Sequence, residues 1–111
     1  MGKFKVWLYR DKRGNSPITE FIIKVNSKQE AKIQKQILHL TDYGITIQNT
    51  FLRRISGTVL WEVRILGRDN IRIFCANTIH GIAVLHIFFK KSQKTPERDI
   101  SLALKRLEIL T

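Results

Sequence analysis

The chain has 111 residues, 43% of them hydrophobic, which is enough for one packed core and predicts a single domain over residues 1–111. Twenty Lys and Arg against nine Asp and Glu leave a net charge of +11, so the expected partner is an anion, either nucleic acid or an acidic protein. No apolar run is long enough to span a membrane, the N-terminal "MGKFKVWLYRDKRG" lacks the unbroken apolar stretch of a signal peptide, and the lone Cys75 excludes an internal disulfide or a cysteine-based zinc site. A soluble, cytoplasmic protein with no membrane partner is expected.

Residues 3–10, "KFKVWLYR", alternate Phe4, Val6 and Leu8 with Lys5, Trp7 and Tyr9, the two-residue period of a strand with one buried face. "DKRGNSP" breaks that period. Ser16 followed by Pro17 then predicts a short helix through "ITEFIIKV", because serine caps free amides and proline fits the first helical turn. "SKQE", Ser27 to Glu30, reads as a capping box that opens a longer helix. Ala31, Ile33, Ile37, Leu38 and Leu40 form its apolar side, and Gly44 supplies the stop. Residues 45–57 keep no clean period and read as a connector with room for a short strand.

Three strands are predicted next, at residues 58–66, 70–77 and 81–90, joined by the short links "GRD" and "TIH". Links that short join only antiparallel neighbours, so the three form a meander. Thr95 and Pro96 repeat the cap-then-proline signal, Glu97 and Asp99 suit the positive end of a helix, and Ile100, Ala103, Leu104 and Leu107 make one apolar stripe. The expected fold is α+β: an N-terminal strand, two helices, an antiparallel three-stranded meander completing a sheet, and a C-terminal helix.

Alternation sorts the charges onto sheet faces. In the first meander strand Val59, Trp61, Val63 and Ile65 point one way, while Glu62 and Arg64 share the other with Leu60 and Leu66. In the second, Arg72 lies with Phe74 and Ala76, opposite Ile71, Ile73 and Cys75. In the third, His86 and Lys90 share parity with Val84 and Phe88, opposite Leu85, Ile87 and Phe89. Bringing the interrupted faces together predicts a concave surface lined by Glu62, Arg64, Arg72, His86 and Lys90 and rimmed by Lys91 and Lys94.

From Arg53 to Lys94 there are eight Lys or Arg against Glu62 and Asp69, with Trp61 and Phe74 nearby, a mixture of basic and aromatic groups that suits single-stranded RNA. Arg53, Arg54, Trp61, Lys90, Lys91 and Lys94 are the candidate RNA-binding residues. The plainer alternative is a solvated strand face, with the lysines discouraging edge-to-edge aggregation. His86, mid-strand among basic groups, is a candidate acid or base, or else a hydrogen-bonded structural histidine; His39 and His80 read as ordinary surface. No His, Asp or Glu spacing of a metal helix, no glycine-rich phosphate loop and no GxSxG are present, so neither metal nor cofactor is implied.

The order of elements, together with "LWEVRI", "IRIF" and "HIFFKKSQKTP", resembles the RelE/ParE toxin superfamily, and within it the phage-related HigB-type branch. The matching segments are Trp61, Glu62, Val63 and Arg64; then Arg72, Ile73 and Phe74; then Phe88 through Pro96. The resemblance spans nearly the whole chain. It implies a RelE-like fold and the toxin of a type II toxin–antitoxin pair, generally a metal-independent endoribonuclease that cuts mRNA in the ribosomal decoding site. The implied partners are the ribosome, mRNA and a cognate antitoxin carrying a helix-turn-helix, which silences the toxin in a hetero-oligomer. By the same resemblance Arg72 matches the arginine that contacts the scissile phosphate, Arg64 a neighbouring basic position, and Lys90, Lys91 and Lys94 the basic C-terminal part of the site. The chain departs from the superfamily in carrying Glu62 or apolar residues where other members supply a lysine, tyrosine or histidine as acid or base. Two alternatives stay open: the ParE branch shares the fold and inhibits DNA gyrase without cutting RNA, and a basic nucleic-acid-binding module needs no catalysis at all.

RNA cleavage of this kind draws its nucleophile from the substrate, whose 2′-hydroxyl attacks the adjacent phosphorus. Arg72, assisted by Arg64, is assigned to neutralising the growing charge, since a guanidinium holds two phosphate oxygens. Glu62, His86 and a lysine are the candidates for proton transfer, with His86 favoured.

Overall fold

A computed structural model describes residues 2–68, 70–94 and 96–110. Thr95, expected to cap the last helix, lies outside the described residues, as does Asp69. The elements run β1 (Val6–Leu8), α1 (Pro17–Lys24), α2 (Ser27–Tyr43), β2 (Leu52–Arg54), β3 (Trp61–Ile65), β4 (Ile71–Thr78), β5 (Gly81–Phe89) and α3 (Glu97–Leu110). The α+β expectation holds, and the connector contributes a strand of its own, β2.

The helix ends follow local chemistry. Ser16 Oγ accepts the Thr19 amide at 3.2 Å and Pro17 opens α1, as the sequence implies. For α2 the capping box sits one residue earlier than "SKQE": Asn26 Oδ1 accepts from the Gln29 amide at 2.8 Å, and Gln29 Oε1 from the Asn26 amide at 3.0 Å. Both frames of "NSKQE" satisfy the spacing rule, and asparagine is as strong a cap as serine, so the earlier frame prevails after an α1–α2 link of only Val25 and Asn26.

The five strands form one sheet in the order β1-β5-β4-β3-β2, antiparallel except for the parallel β1–β5 pair. Gly81 permits that last contact. Its φ is 126°, and a Cβ there would meet the Lys5 carbonyl oxygen at 2.5 Å, next to the Ile82 amide that donates to the same oxygen.

Helices cover both faces. α1 and α2 bury Ile18, Ile22, Ile33 and Leu40 against Val63, Ile65, Ile71, Ile73, Val84 and Ile87. On the opposite face α3 sets Ala103 against Leu60, Phe74, Ala76, Ala83, Leu85 and Phe88. The central strands are therefore apolar on both sides, which explains the near-continuous run in β5. Cys75 is a core residue; burial pushes its thiol pKa up to about 12.

One expected parity fails. Phe74 pairs with His86 but Cys75 pairs with Val84, so Leu85 is an extra residue in a bulge. Val84 consequently joins the α1/α2 core and Leu85 the α3 core, the reverse of strict alternation. His86 and Phe88 stay on the α3 side, where His86 is stacked on Phe88 with ring centroids 5.0 Å apart.

Candidate nucleic-acid interface

Register assembles the charged residues in two rows on the α3 side of the sheet. Arg53, Glu62, Phe74 and His86 pair in sequence across β2, β3, β4 and β5, and Arg64, Arg72 and Phe88 pair across β3, β4 and β5. Residues directly opposite one another share a face, so Arg64 and Arg72 stand side by side as expected.

Glu62 organises the first row. Its carboxylate is 3.4 Å from Arg53 Nε and 3.8 Å from Arg72 Nε, with side-chain exposures of 5% for Glu62, 65% for Arg53 and 14% for Arg72. The Arg72 Nη1 donates to the Ile71 carbonyl at 3.2 Å. Its Nε is buried and has no hydrogen-bond partner, because 3.8 Å is a Coulombic distance rather than a bonding one. Arg64 projects into solvent and makes no ion pair among the described residues.

Beside these rows runs a basic furrow made of two adjoining cavities. One, of about 520 Å³, is lined by Arg53, Arg54, Glu62 and Lys90 and walled by Pro96 and Ile100 from the start of α3. The other, of about 220 Å³, is lined by Asn70, Arg72, Lys90, Lys91, Ser92 and Gln93. Lys90 and Gln93 border both. The segment that carries the lysines is tied down where the Lys90 amide donates to the Asn70 carbonyl at 2.9 Å.

Not every candidate joins the furrow. Lys94 is exposed and outside both linings. Trp61 packs on the α1/α2 side, and Phe74, although it borders the larger cavity, is fully buried, so no exposed aromatic platform forms beside the basic groups. Alternation had already set Trp61 apart from Glu62; only burial could show that Phe74 is covered.

His86 sits in a separate node beneath α3. Its Nε2 is 2.7 Å from Asp99 Oδ1, and its Nδ1 is 3.4 Å from Arg106 Nη1, which also donates to the Leu85 carbonyl at 2.8 Å. Burial lowers the imidazole pKa, and the neighbouring Arg106 adds to the effect, against the opposing pull of the Asp99 hydrogen bond and charge. A neutral ring donating from Nε2 to Asp99 and accepting at Nδ1 satisfies both partners. Arg106 also lies 4.9 Å over the Tyr9 ring. Sequence reasoning gave no role to Arg106, Asn70 or Gln93, and read Asp99 only as a helix-end charge. Their partners are 13 to 21 residues away for Asp99 and Arg106, beyond any local pattern.

Among the described residues no group of three His, Cys, Asp or Glu is placed to hold a metal ion, and no helix is long and apolar enough to cross a membrane.

These features define a small basic α+β domain with an arginine-centred furrow on one sheet face. Residues 20–108 match the family described as Phage derived protein Gp49-like (DUF891), and the chain belongs to that family. Among curated proteins no significant match is found.

Proposed function

We infer that this protein is the toxin of a toxin–antitoxin pair and cuts messenger RNA at the ribosome. Membership of the phage-derived Gp49-like family is compatible with a toxin. The observation that carries the reading is the facing Arg64–Arg72 pair beside the furrow, with the Arg72 Nε buried and unbonded. Like charges directly opposite on a sheet destabilise it, and a bridging anion reverses the sign. Glu62 offsets part of that charge from inside, and a substrate phosphate would offset the rest from outside.

In the proposed reaction the 2′-oxygen forms a bond to the adjacent phosphorus and the bond to the 5′-oxygen breaks, leaving a 2′,3′-cyclic phosphate and a free 5′-hydroxyl. Arg72 and Arg64 hold the nonbridging oxygens as charge develops. Glu62, which lines the furrow, takes the 2′-hydroxyl proton, and the Lys90 ammonium gives one to the departing oxygen. Glu62 takes this role in place of His86 because both imidazole nitrogens are engaged within the protein. His86 acts as a positioning residue, holding the helix whose first turn walls the furrow. Lys91 supplies backbone charge next to Arg72, and Arg53 and Arg54 do so at the far end.

Within this reading the chain is a RelE/ParE-type toxin of the HigB-type branch acting in the cytoplasm. Its partners are the ribosome with its mRNA and a helix-turn-helix antitoxin. The test is induced expression with mapping of RNA 5′ ends, beside purified protein on programmed ribosomes and an Arg72→Ala control. New ends within translated messages, lost in the variant, are expected. Intact messages accompanied by DNA damage would replace the reading with gyrase inhibition.

A further inference from the structure

A second basic cavity, of about 420 Å³, lies between the start of α2 and the β3–β4 turn. Lys28, Lys32 and Arg68 line it, no carboxylate appears among its described lining residues, and its floor is Ile65 and Ile71. Asp69 follows Arg68 in the chain and lies outside the described residues. The charge here comes from side chains: the Asn26 and Gln29 amides at the head of α2 are already taken up by the capping box. Lys32 is held in place, its Nζ donating to the Leu66 carbonyl at 2.9 Å, which leaves two ammonium protons for a ligand.

The position of this cavity is what gives it meaning. Asn70 borders both it and the smaller half of the furrow. Asn70 has a φ of 50°, a left-handed turn that asparagine tolerates, and its carbonyl anchors Lys90. The two cavities thus meet across one residue at the end of the sheet. Arg72 and Lys91 stand on one side of it, and Arg68 and Lys28 on the other.

Building on the reading of the furrow as an RNA seat, we propose that the polynucleotide track continues over the β3–β4 turn into this second cavity, where Lys28, Lys32 and Arg68 hold further backbone phosphates of the bound strand. The reacting phosphate sits at Arg72, and the second seat adds affinity without touching the reacting atoms. Lysine and arginine spaced along a groove with no acid among its described lining residues suit a polyanion better than a single small anion.

The test uses the full chain, a long fluorescein-labelled oligouridine and a labelled trinucleotide too short to leave the furrow. Lys28→Ala combined with Arg68→Ala should weaken binding of the long oligomer and flatten its salt dependence by roughly 0.7 for each phosphate no longer neutralised, while the trinucleotide binds as before. Both residues are exposed, so thermal unfolding should be unchanged and serves as the folding control. Equal affinity of variant and wild type for the long oligomer, or equal losses for both oligomers, would overturn the proposal. So would a variant that keeps RNA affinity but loses binding to polyglutamate, which would mark the cavity as a protein-docking site. Cleavage by the wild type on ribosomes is scored separately. Its absence with the length-dependent binding intact would remove the enzymatic reading and leave the track standing.

Discussion

The furrow around Arg72 and the node around His86 occupy adjacent rows of the same sheet face, yet their polar groups are satisfied in opposite ways. At His86 both ring nitrogens have an internal partner, α3 covers the ring, and burial lowers its pKa. At Arg72 a buried Nε lacks a hydrogen bond, a second arginine stands opposite, and the smaller cavity of the furrow opens beside it. Buried polar groups are normally paired, and exceptions need an explanation. The contrast sets the His86 side chain, whose ring nitrogens are both engaged, against an arginine pair that lacks full internal compensation, although Trp7 Nε1 on the α3 side is also buried without a partner.

The sharpest way to break that contrast is to exchange the roles. Glu62→Gln keeps shape but removes the proposed base, so cleavage on programmed ribosomes should fall by ~10²–10⁴-fold. It should also cost about 1–3 kcal/mol of stability, measured by urea unfolding, because Arg72 loses its counter-charge. Arg72→Ala should lower cleavage by ~10²–10³-fold, with a loss of stability smaller than that of Glu62→Gln, because Arg53 stays beside the Glu62 carboxylate and the facing arginine pair is relieved. A variant that cleaves normally would place the chemistry elsewhere.

The lysines sharpen the comparison within the furrow. Lys90→Ala should reduce cleavage far more than Lys94→Ala, because Lys90 borders both cavities and Lys94 neither. Equal effects in a single-turnover assay would mean that net charge alone matters.

The smallest effect on cleavage is expected at the node. His86→Gln should leave the rate per folded molecule nearly unchanged and appear instead in stability and its pH dependence. Because the folded-state pKa is lowered from 6.5, the unfolded chain binds the proton more readily as the solution is acidified. The contribution is therefore full above the unfolded value, and it is lost as pH falls through that value toward the folded one. Melting temperatures across that range should show a slope in the wild type that His86→Gln flattens. A cleavage rate that collapses in this variant without loss of fold would return His86 to the chemistry.

Apart from β2, the element types were legible in the sequence, because periods of two and 3.6 and the cap residues are local properties of neighbouring side chains. Alternation placed Glu62 with Arg64 and Arg72 with Phe74 within their strands, and the bulge-free β3–β4 register then brought the two sets onto a common face. The frame of the α2 cap, the strand β2 and the swapped sides of Val84 and Leu85 depended on which of several locally acceptable arrangements packed best. Which polar residues stay open to solvent was settled by long-range packing. Whether α3 lies over His86 or over Arg72 is set by the long-range partners Asp99 and Arg106, and no spacing along the chain encodes that distance.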